Sequence, residues 1–326
     1  MEVSVIIPVY NRASVVSATL DSVLSQTYRP LQVVLVDNYS TDTSLQVLEQ
    51  FKQDHDCDDF KVVVTREAHH TAGAARNRGF EQATGEWILF FDSDDLMDAR
   101  LVESYVDTIS RYQERGVTLD LISARSTLVF PDGRKREAPF HTSDLFANHI
   151  LHGQLATQRY AVRREFFALT DGWNINLPGW NDWELGMRLL LAAPHVAYMT
   201  CRSRVIINHN GADSITGTEF HSRRGQWEHV IDIIKVEVQT SRLKRVHKTR
   251  FLRLLEYRRL VLAAQYEREG HPQSAKPLCQ QAYQRLRDSY HNSRHWRWLV
   301  APVTRRLFAR ITAGKRGSAR IARLLY

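Results

Sequence analysis

The stretch from Glu86 to Asp95, Glu-Trp-Ile-Leu-Phe-Phe-Asp-Ser-Asp-Asp, runs an unbroken apolar segment into four polar residues, three of them carboxylates. Ile88, Leu89, Phe90 and Phe91 leave no polar alternate position, so both faces of such a strand must be covered, as in a parallel or mixed sheet flanked by helices. Asp92, Ser93, Asp94 and Asp95 then fall at its carboxyl end, where open α/β sheets collect their ligands. Carboxylates this close repel one another, and a divalent cation relieves the repulsion. A blander reading fits the same residues: a polar turn in which Asp94 or Asp95 caps a helix starting near Asp98.

Three further strand patterns precede this one. Val3 to Val9, Val33 to Val36 and Lys61 to Thr65 read as strands, and between them Val16, Leu20, Val23 and Leu24, then Leu45, Leu48 and Phe51, fall at helical spacing. Ser40 or Thr41 is the expected cap of the second helix. Ala72, Ala75, Gly79 and Ala83 give a third helix a small-residue face for close packing on a sheet, and Val102, Val106 and Ile109 mark a fourth. This βαβαβαβα order implies a parallel, doubly wound sheet. Its strands end at Tyr10-Asn11-Arg12, Asp37-Asn38, Arg66-Glu67 and Asp92 onward, so one rim gathers polar groups from four strand ends, which suits a nucleotide. The absence of a Gly-x-Gly-x-x-Gly after the first strand, and of a Walker-type loop, argues against a dinucleotide site or an NTPase loop.

Four blocks, Val3-Ser-Val-Ile-Ile-Pro-Val-Tyr-Asn11, Val36-Asp-Asn-Tyr-Ser-Thr-Asp42, Ala74-Ala-Arg-Asn-Arg-Gly79 and Phe91-Asp-Ser-Asp-Asp95, resemble in order and spacing those of family 2 glycosyltransferases. The resemblance covers roughly residues 1 to 215. It implies an inverting enzyme with a GT-A, Rossmann-like fold and a mixed central sheet, a nucleotide-sugar donor, and a divalent metal, Mn or Mg. Carried over by position, Pro8, Val9 and Tyr10 flank the nucleobase, with Asp37 and Asn38 beside them. Many relatives read Asp-Asp-Gly-Ser where this chain has Asp37-Asn38-Tyr39-Ser40. An amide oxygen can still accept a pyrimidine N3–H, but an amide also donates, so uridine is expected and thymidine stays open.

In the same resemblance Arg76 holds the donor, with a guanidinium fork that matches phosphate geometry; the rival is an ordinary surface salt bridge. Asp94 ligates the metal, Asp92 contacts ribose or the metal shell, and Ser93 lies with the donor. The segment Thr170 to Leu191 resembles the family segment that carries the general base, which places Asp182 in that role at a helix start, where the ionised form is favoured. Asn181 stands where the family has a second acid, and a plain helix cap is the competing reading of Asp182. His209 falls in what looks like the closing loop, as a further metal ligand or a phosphate partner, against a loop-stabilising role. His69 and His70 lack ligand-like spacing and read as loop residues.

Charge divides the chain. Residues 1 to 240 carry 23 Lys+Arg and 32 Asp+Glu, and residues 241 to 326 carry 21 and 4, balances of −9 and +17 that sum to the net +8. The expected organisation is a GT-A domain over 1–220, with a donor half to about 115 and an acceptor half over 116–220, then a helical basic region over 221–326. Two helical patterns within 250–288, joined at Glu269-Gly-His-Pro272, signal an αα-hairpin. Beyond Arg294, Trp, Leu and Phe alternate with arginine, the composition of an interfacial membrane helix. The expected partner of 290–326 is therefore an anionic membrane surface, with a protein face as rival and nucleic acid not expected for want of a recognised module. With a strand pattern at the start and no spanning apolar run, the chain reads as cytoplasmic and peripheral on the inner membrane face. Three dispersed cysteines suggest neither a disulfide framework nor a zinc site.

The function expected from these features is sugar transfer from a nucleotide-sugar, UDP-linked first, to a glycan or lipid-linked acceptor in cell-surface polysaccharide assembly. A non-catalytic nucleotide-sugar-binding scaffold recruited by its tail is the alternative, and a nucleotidyltransferase lacks its Gly-rich loop.

Overall fold

The computed structural model describes residues 1–326 except Pro139, Pro178, 200–203 and 209–218. The chain divides into two compact units, Met1–Ser143 with Gln154–Gly211, and Asp144–Gly153 with Ala212–Tyr326.

The first unit opens as the apolar periodicity requires: β1 (Val3–Val9), α1 (Val16–Leu24), β2 (Leu31–Asp37), α2 (Ser44–His55), β3 (Phe60–Arg66), α3 (Ala72–Gln82) and β4 (Trp87–Phe90). After these come β5 (Leu96–Met97), α4 (Leu101–Gln113), β6 (Leu121–Ser123), β7 (Arg125–Val129) and β8 (Lys135–Ala138). A short helix of the second unit, α5 (Leu145–His152), interrupts the run, which resumes with β9 (Tyr160–Arg163), α6 (Arg164–Ala168), α7 (Asn181–Leu191), β10 (Val196–Tyr198) and β11 (Arg204–Asn208).

Seven strands form the main sheet in the order β10-β6-β9-β4-β1-β2-β3. The first four strands are mutually parallel where they pair, Val5 facing Val33 and Leu89. The sheet becomes mixed at β9, antiparallel to both β4 and β6. All four residues of β4 are buried, consistent with helices covering both faces. The small-residue face of α3 explains its close seat: a Cβ added to Gly79 would lie 2.3 Å from Ile6 Cγ2. A second sheet, β5-β11-β7-β8, carries the segment that follows the acidic cluster.

Two local expectations are corrected. The helix expected near Asp98 begins at Leu101, because Leu96 and Met97 pair with β11, and the Val102 N–H is capped at 3.1 Å by Gln26 Oε1. The Asp95 carboxylate is engaged by Asn208 and Gln158 instead of capping that helix. Helix α2 likewise begins at Ser44, whose N–H donates to Asp42 Oδ1 at 2.9 Å, while Ser40 Oγ accepts the Asn11 N–H at 3.1 Å and ties two strand ends together.

The second unit is helical: α8 (Gln226–Thr240), α9 (Arg245–Arg268), α10 (Pro272–Ser289), a π-helical turn at Trp296–Val300, α11 (Ala301–Thr312) and α12 (Ser318–Leu325). The expected hairpin is α9 with α10, with Pro272 in the first turn of α10, where a missing N–H costs nothing. Helix α5 joins this unit because Phe146 stacks on Phe251 at 4.8 Å and Arg250 makes a two-pronged bond to Asp144 at 3.0 and 2.7 Å. No helix among the described residues is long and apolar enough to cross a membrane.

Candidate active site

The rim of the first unit is built from the ends of β1, β2 and β4, the first turns of α3, and the start of α7. Pairing holds the first two ends in register, Val9 opposite Asp37, and the Asn38 N–H continues the ladder by donating to the Val9 carbonyl at 2.8 Å. Pro8 is half-buried and Val9 buried, while the Tyr10 side chain stands exposed beyond them.

Asp37 is fully buried, and its carboxylate accepts from Arg66 Nε at 3.1 Å and from the Ser40 N–H at 3.1 Å. Asn38 donates its side-chain amide hydrogens to the carbonyls of Glu67 at 2.7 Å and His69 at 2.9 Å. Two carbonyls can only accept, so they fix the amide orientation and leave the oxygen as the group available to a ligand. Tyr39 adopts φ 59°, the left-handed conformation that favours glycine, and its ring lies under Arg66 at 4.2 Å. His70 packs edge-on to both Tyr10, at 5.9 Å, and Tyr39, at 6.2 Å. The histidine read from sequence as a loop residue is thus the middle of an aromatic cluster beside Asn38.

Helix α3 starts on a capped turn, Thr71 Oγ1 accepting the Ala74 N–H at 3.2 Å. One turn on, Arg76 is buried, with Nη2 donating to Asp92 Oδ1 at 2.7 Å and its guanidinium 4.4 Å above the Trp173 ring. Arg76 does form an ion pair, from a buried guanidinium to the half-buried Asp92. Arg76 Nε and Nη1 are buried and without a partner among the described residues, as are the Tyr160 hydroxyl and Trp173 Nε1. Unpaired buried donors in a native fold call for an explanation, and a ligand that brings acceptors supplies one.

Of the acidic cluster, Asp92 and Asp94 are half-buried and Ser93 is buried. Asp95 is sequestered: its carboxylate accepts the Asn208 N–H at 2.8 Å and the Gln158 side-chain amide, while Asn208 Nδ2 also donates to the Asp94 carbonyl at 2.6 Å. Burial, then the charges of Asp92 and Asp94, push the Asp95 carboxyl well above the usual carboxylate range. Asp95 ties the segment after β4 to the turn that precedes β9 and to the end of β11; it is not the helix cap that sequence suggested.

Asp182 lies in the first turn of α7, where its Oδ1 accepts the Trp183 N–H at 2.8 Å. Desolvation raises its pKa against the lowering influence of Arg76 and that backbone bond, and the Asp92 charge adds to the rise. The helix start therefore does not hold this carboxyl low, as its position alone predicts; removal of water dominates. The mutual influence of Asp182, Arg76, Asp92 and Tyr160 marks them as one electrostatic cluster. Sequence reasoning missed the element that seats it. Asn77 donates to the Trp173 carbonyl at 2.9 Å and accepts the Trp173 N–H at 2.8 Å, fastening the loop before α7 to α3. His209 lies outside the described residues, among which no three His, Cys, Asp or Glu side chains form a metal-binding group.

The sequence profile of Glycosyl transferase family 2 matches residues 4–167, half of the chain. The chain belongs to this family. An uncharacterized glycosyltransferase of Nostoc sp. is 32% identical over 57% of this chain and 58% of its own length. Glycosyltransferase AglE of Haloferax volcanii is 35% identical over 52% of this chain and 53% of its own. The chain spans between 16% and 58% of the length of the first curated relatives it matches. Among solved structures, S. aureus TarS 1-349 in complex with UDP-GlcNAc superposes with a TM-score of 0.71 at 20% identity, covering 99% of this chain and 91% of that one. A Pyrobaculum calidifontis mannosyltransferase in complex with GDP-Man and Mn2+ gives 0.55 at 17% identity, over 99% and 86%. These two likenesses concern the fold, which is that of the GT-A family 2 enzymes.

Proposed function

We propose that this family 2 glycosyltransferase is an inverting, metal-assisted enzyme that moves a hexosyl or N-acetylhexosaminyl group from a UDP-sugar to a hydroxyl of a glycan or glycolipid acceptor. The observation that carries the reading is Arg76: a buried guanidinium with one nitrogen on Asp92, two nitrogens without a partner among the described residues, and the charge of Asp182 within its influence. A diphosphate supplies the missing acceptors in the planar geometry a guanidinium matches. Asn38 supports a uracil base, because the oxygen it presents accepts the N3–H, and Tyr10, His70 and Tyr39 offer aromatic edges and faces beside it. Thymine has the same N3–H, so a thymidine donor remains the alternative at this position.

Asp182 takes the proton of the acceptor hydroxyl, which attacks the sugar C1 from the face opposite the diphosphate. A carboxylate with a raised pKa is the stronger base for this step. Arg76 holds the diphosphate, and Asp92 orients Arg76 while facing the ribose, with Ser93 lining the same strand end. Asp94 and Asp92 offer hard oxygen ligands that suit Mg or Mn, which commonly bind through one or two carboxylates plus substrate phosphates. Burial first, and then the charges of Asp92 and Asp94, raise the Asp95 carboxyl, and a cation beside those two carboxylates would relieve their mutual repulsion. When bound, the ion neutralises charge developing on the departing diphosphate.

Cell-surface polymer assembly at the inner face of a membrane is the setting we infer. A Bacillus spizizenii poly(ribitol-phosphate) beta-glucosyltransferase, 35% identical over 36% of this chain and 19% of its own length, supports the polymer part. The test is a screen of UDP-, dTDP- and GDP-sugars with Mn, reading nucleotide release and glycan product by mass spectrometry. UDP-sugar turnover with inverted anomeric configuration is expected; binding of every donor without turnover would establish the scaffold instead.

A further inference from the structure

From Ser289 to Tyr326 the chain carries nine Arg and Lys residues and no Asp or Glu. Eight of the nine, Arg294, Arg297, Arg305, Arg306, Arg310, Lys315, Arg316 and Arg320, are exposed, and none of the eight has a carboxylate partner among the described residues. The ninth, Arg323, pairs with Asp144 at 3.5 Å. The same segment exposes large apolar side chains: Trp298 is 82% accessible, Leu324 84%, Leu299 49% and Ile321 41%.

These groups are not loose ends of a poorly packed tail. The π-helical turn buries Trp296 and Val300 and turns Trp298 and Leu299 outward. Trp296 is held between Tyr283, at 5.1 Å, and Tyr290, at 5.8 Å, and the Tyr290 hydroxyl donates to the Leu325 carbonyl at 3.0 Å. Helix α12 is thereby fastened to the residue that stacks on Trp296, and it buries Ala322 beneath the outward Ile321 and Leu324. At the chain's end Tyr326 is buried, its hydroxyl 2.6 Å from Thr304 Oγ1. A well-anchored scaffold thus presents one indole and three aliphatic side chains among cations that no carboxylate of the described residues neutralises.

We infer that these helices dock on an anionic lipid bilayer, with Trp298, Leu299, Ile321 and Leu324 entering the interface and the arginines meeting lipid phosphates. This deepens the reading of a membrane-associated acceptor. Charge complementarity selects an anionic partner, since the acid-free segment repels a basic one. The aliphatic residues then choose the bilayer over a polyanion in solution. Leu and Ile on these short helices lose more water-exposed apolar area in hydrocarbon than against the polar surface of a dissolved polyanion, and tryptophan favours the headgroup level.

The experiment is co-sedimentation of the full chain with phosphatidylcholine vesicles and with vesicles containing one-third phosphatidylglycerol, in low and high salt. Binding is expected only to the anionic vesicles and should weaken with salt. W298S with L324S should reduce it about 10-fold or more, and R305E with R306E should reduce it comparably. All four positions are exposed, so melting temperature and UDP affinity serve as controls for folding and should stay unchanged. Equal binding to both vesicle types, or unchanged binding by W298S/L324S, overturns the inference. So does an oligonucleotide that binds as tightly as the anionic vesicles and is insensitive to W298S/L324S. Donor turnover is measured on the same protein: loss of vesicle binding with turnover intact refutes only the docking surface, and vesicle binding without turnover refutes only the catalytic reading.

Discussion

Arg76 Nη2 donates to Asp92 Oδ1 at 2.7 Å, and this bond joins the small-residue helix to the acidic strand end. It leaves Nε and Nη1 for a ligand. Replacing Arg76 by Lys keeps the charge and removes the fork. Charged hydrogen bonds contribute about 1.5–3 kcal/mol, so UDP affinity by calorimetry should fall roughly 10- to 100-fold. Affinity within twofold of the parent would remove Arg76 from the donor site.

Asn38 invites a misleading experiment, because the family resemblance expects an acid at this position. Its amide hydrogens hold the carbonyls of Glu67 and His69, and a carboxylate would face those two oxygens with no hydrogen to give. Asn38→Asp should therefore weaken uridine binding and lower the melting temperature, with about 1–3 kcal/mol at stake for the orphaned acceptors. Tighter UDP binding by this variant would show that the turn rearranges and that the amide is not the orienting group.

Much of this site could be read in advance because its parts announce themselves locally. Strands β1, β2 and β4 are apolar runs that stop at polar residues, and the Ala-rich face of α3 is a helical pattern with Gly79 at the contact. The groups that lock those parts together leave no such trace. Asn77 meets Trp173 and Asn208 meets Asp95 through hydrogen bonds spanning 96 and 113 residues, and neither has a period or a spacing to betray it. The antiparallel entry of β9 between β4 and β6 is invisible for the same reason, a four-residue strand whose partners lie far away in sequence. The cap reading of Asp95 follows from the local use of an aspartate, and it fails because the partners Gln158 and Asn208 are not local.

Those partners make Asp95 a structural residue first. Asp95→Ala strands the Asn208 N–H and the Gln158 amide in a buried setting, a loss of about 1–3 kcal/mol of stability. Urea unfolding should show a lower midpoint with an unchanged slope. A variant as stable as the parent would mean that water replaces the carboxylate.

The metal reading rests on Asp94 and Asp92. UDP-sugar affinity should drop at least about 10-fold in EDTA and recover with Mn or Mg, and Asp94→Asn should abolish the recovery. Donor binding indifferent to both treatments would assign the acidic strand end to positioning alone.

Asp182 connects the chemistry to pH. Burial raises its pKa, so the base becomes competent only as pH climbs past a value higher than that of an ordinary carboxylate, and the acid limb of the rate profile should sit correspondingly high. Asp182→Asn should cost about 10²- to 10⁴-fold in transfer while UDP affinity stays unchanged. Stability runs the other way. Between the unfolded and the raised folded pKa, the native state binds more protons, so this group's contribution declines as pH rises through that window. The asparagine variant escapes that decline, and at pH 8 its melting temperature should equal or exceed the parent's. A helix cap without catalytic duty predicts full activity in this variant, and because an asparagine oxygen still accepts the Trp183 N–H, capping itself is kept; the transfer rate therefore decides between base and cap.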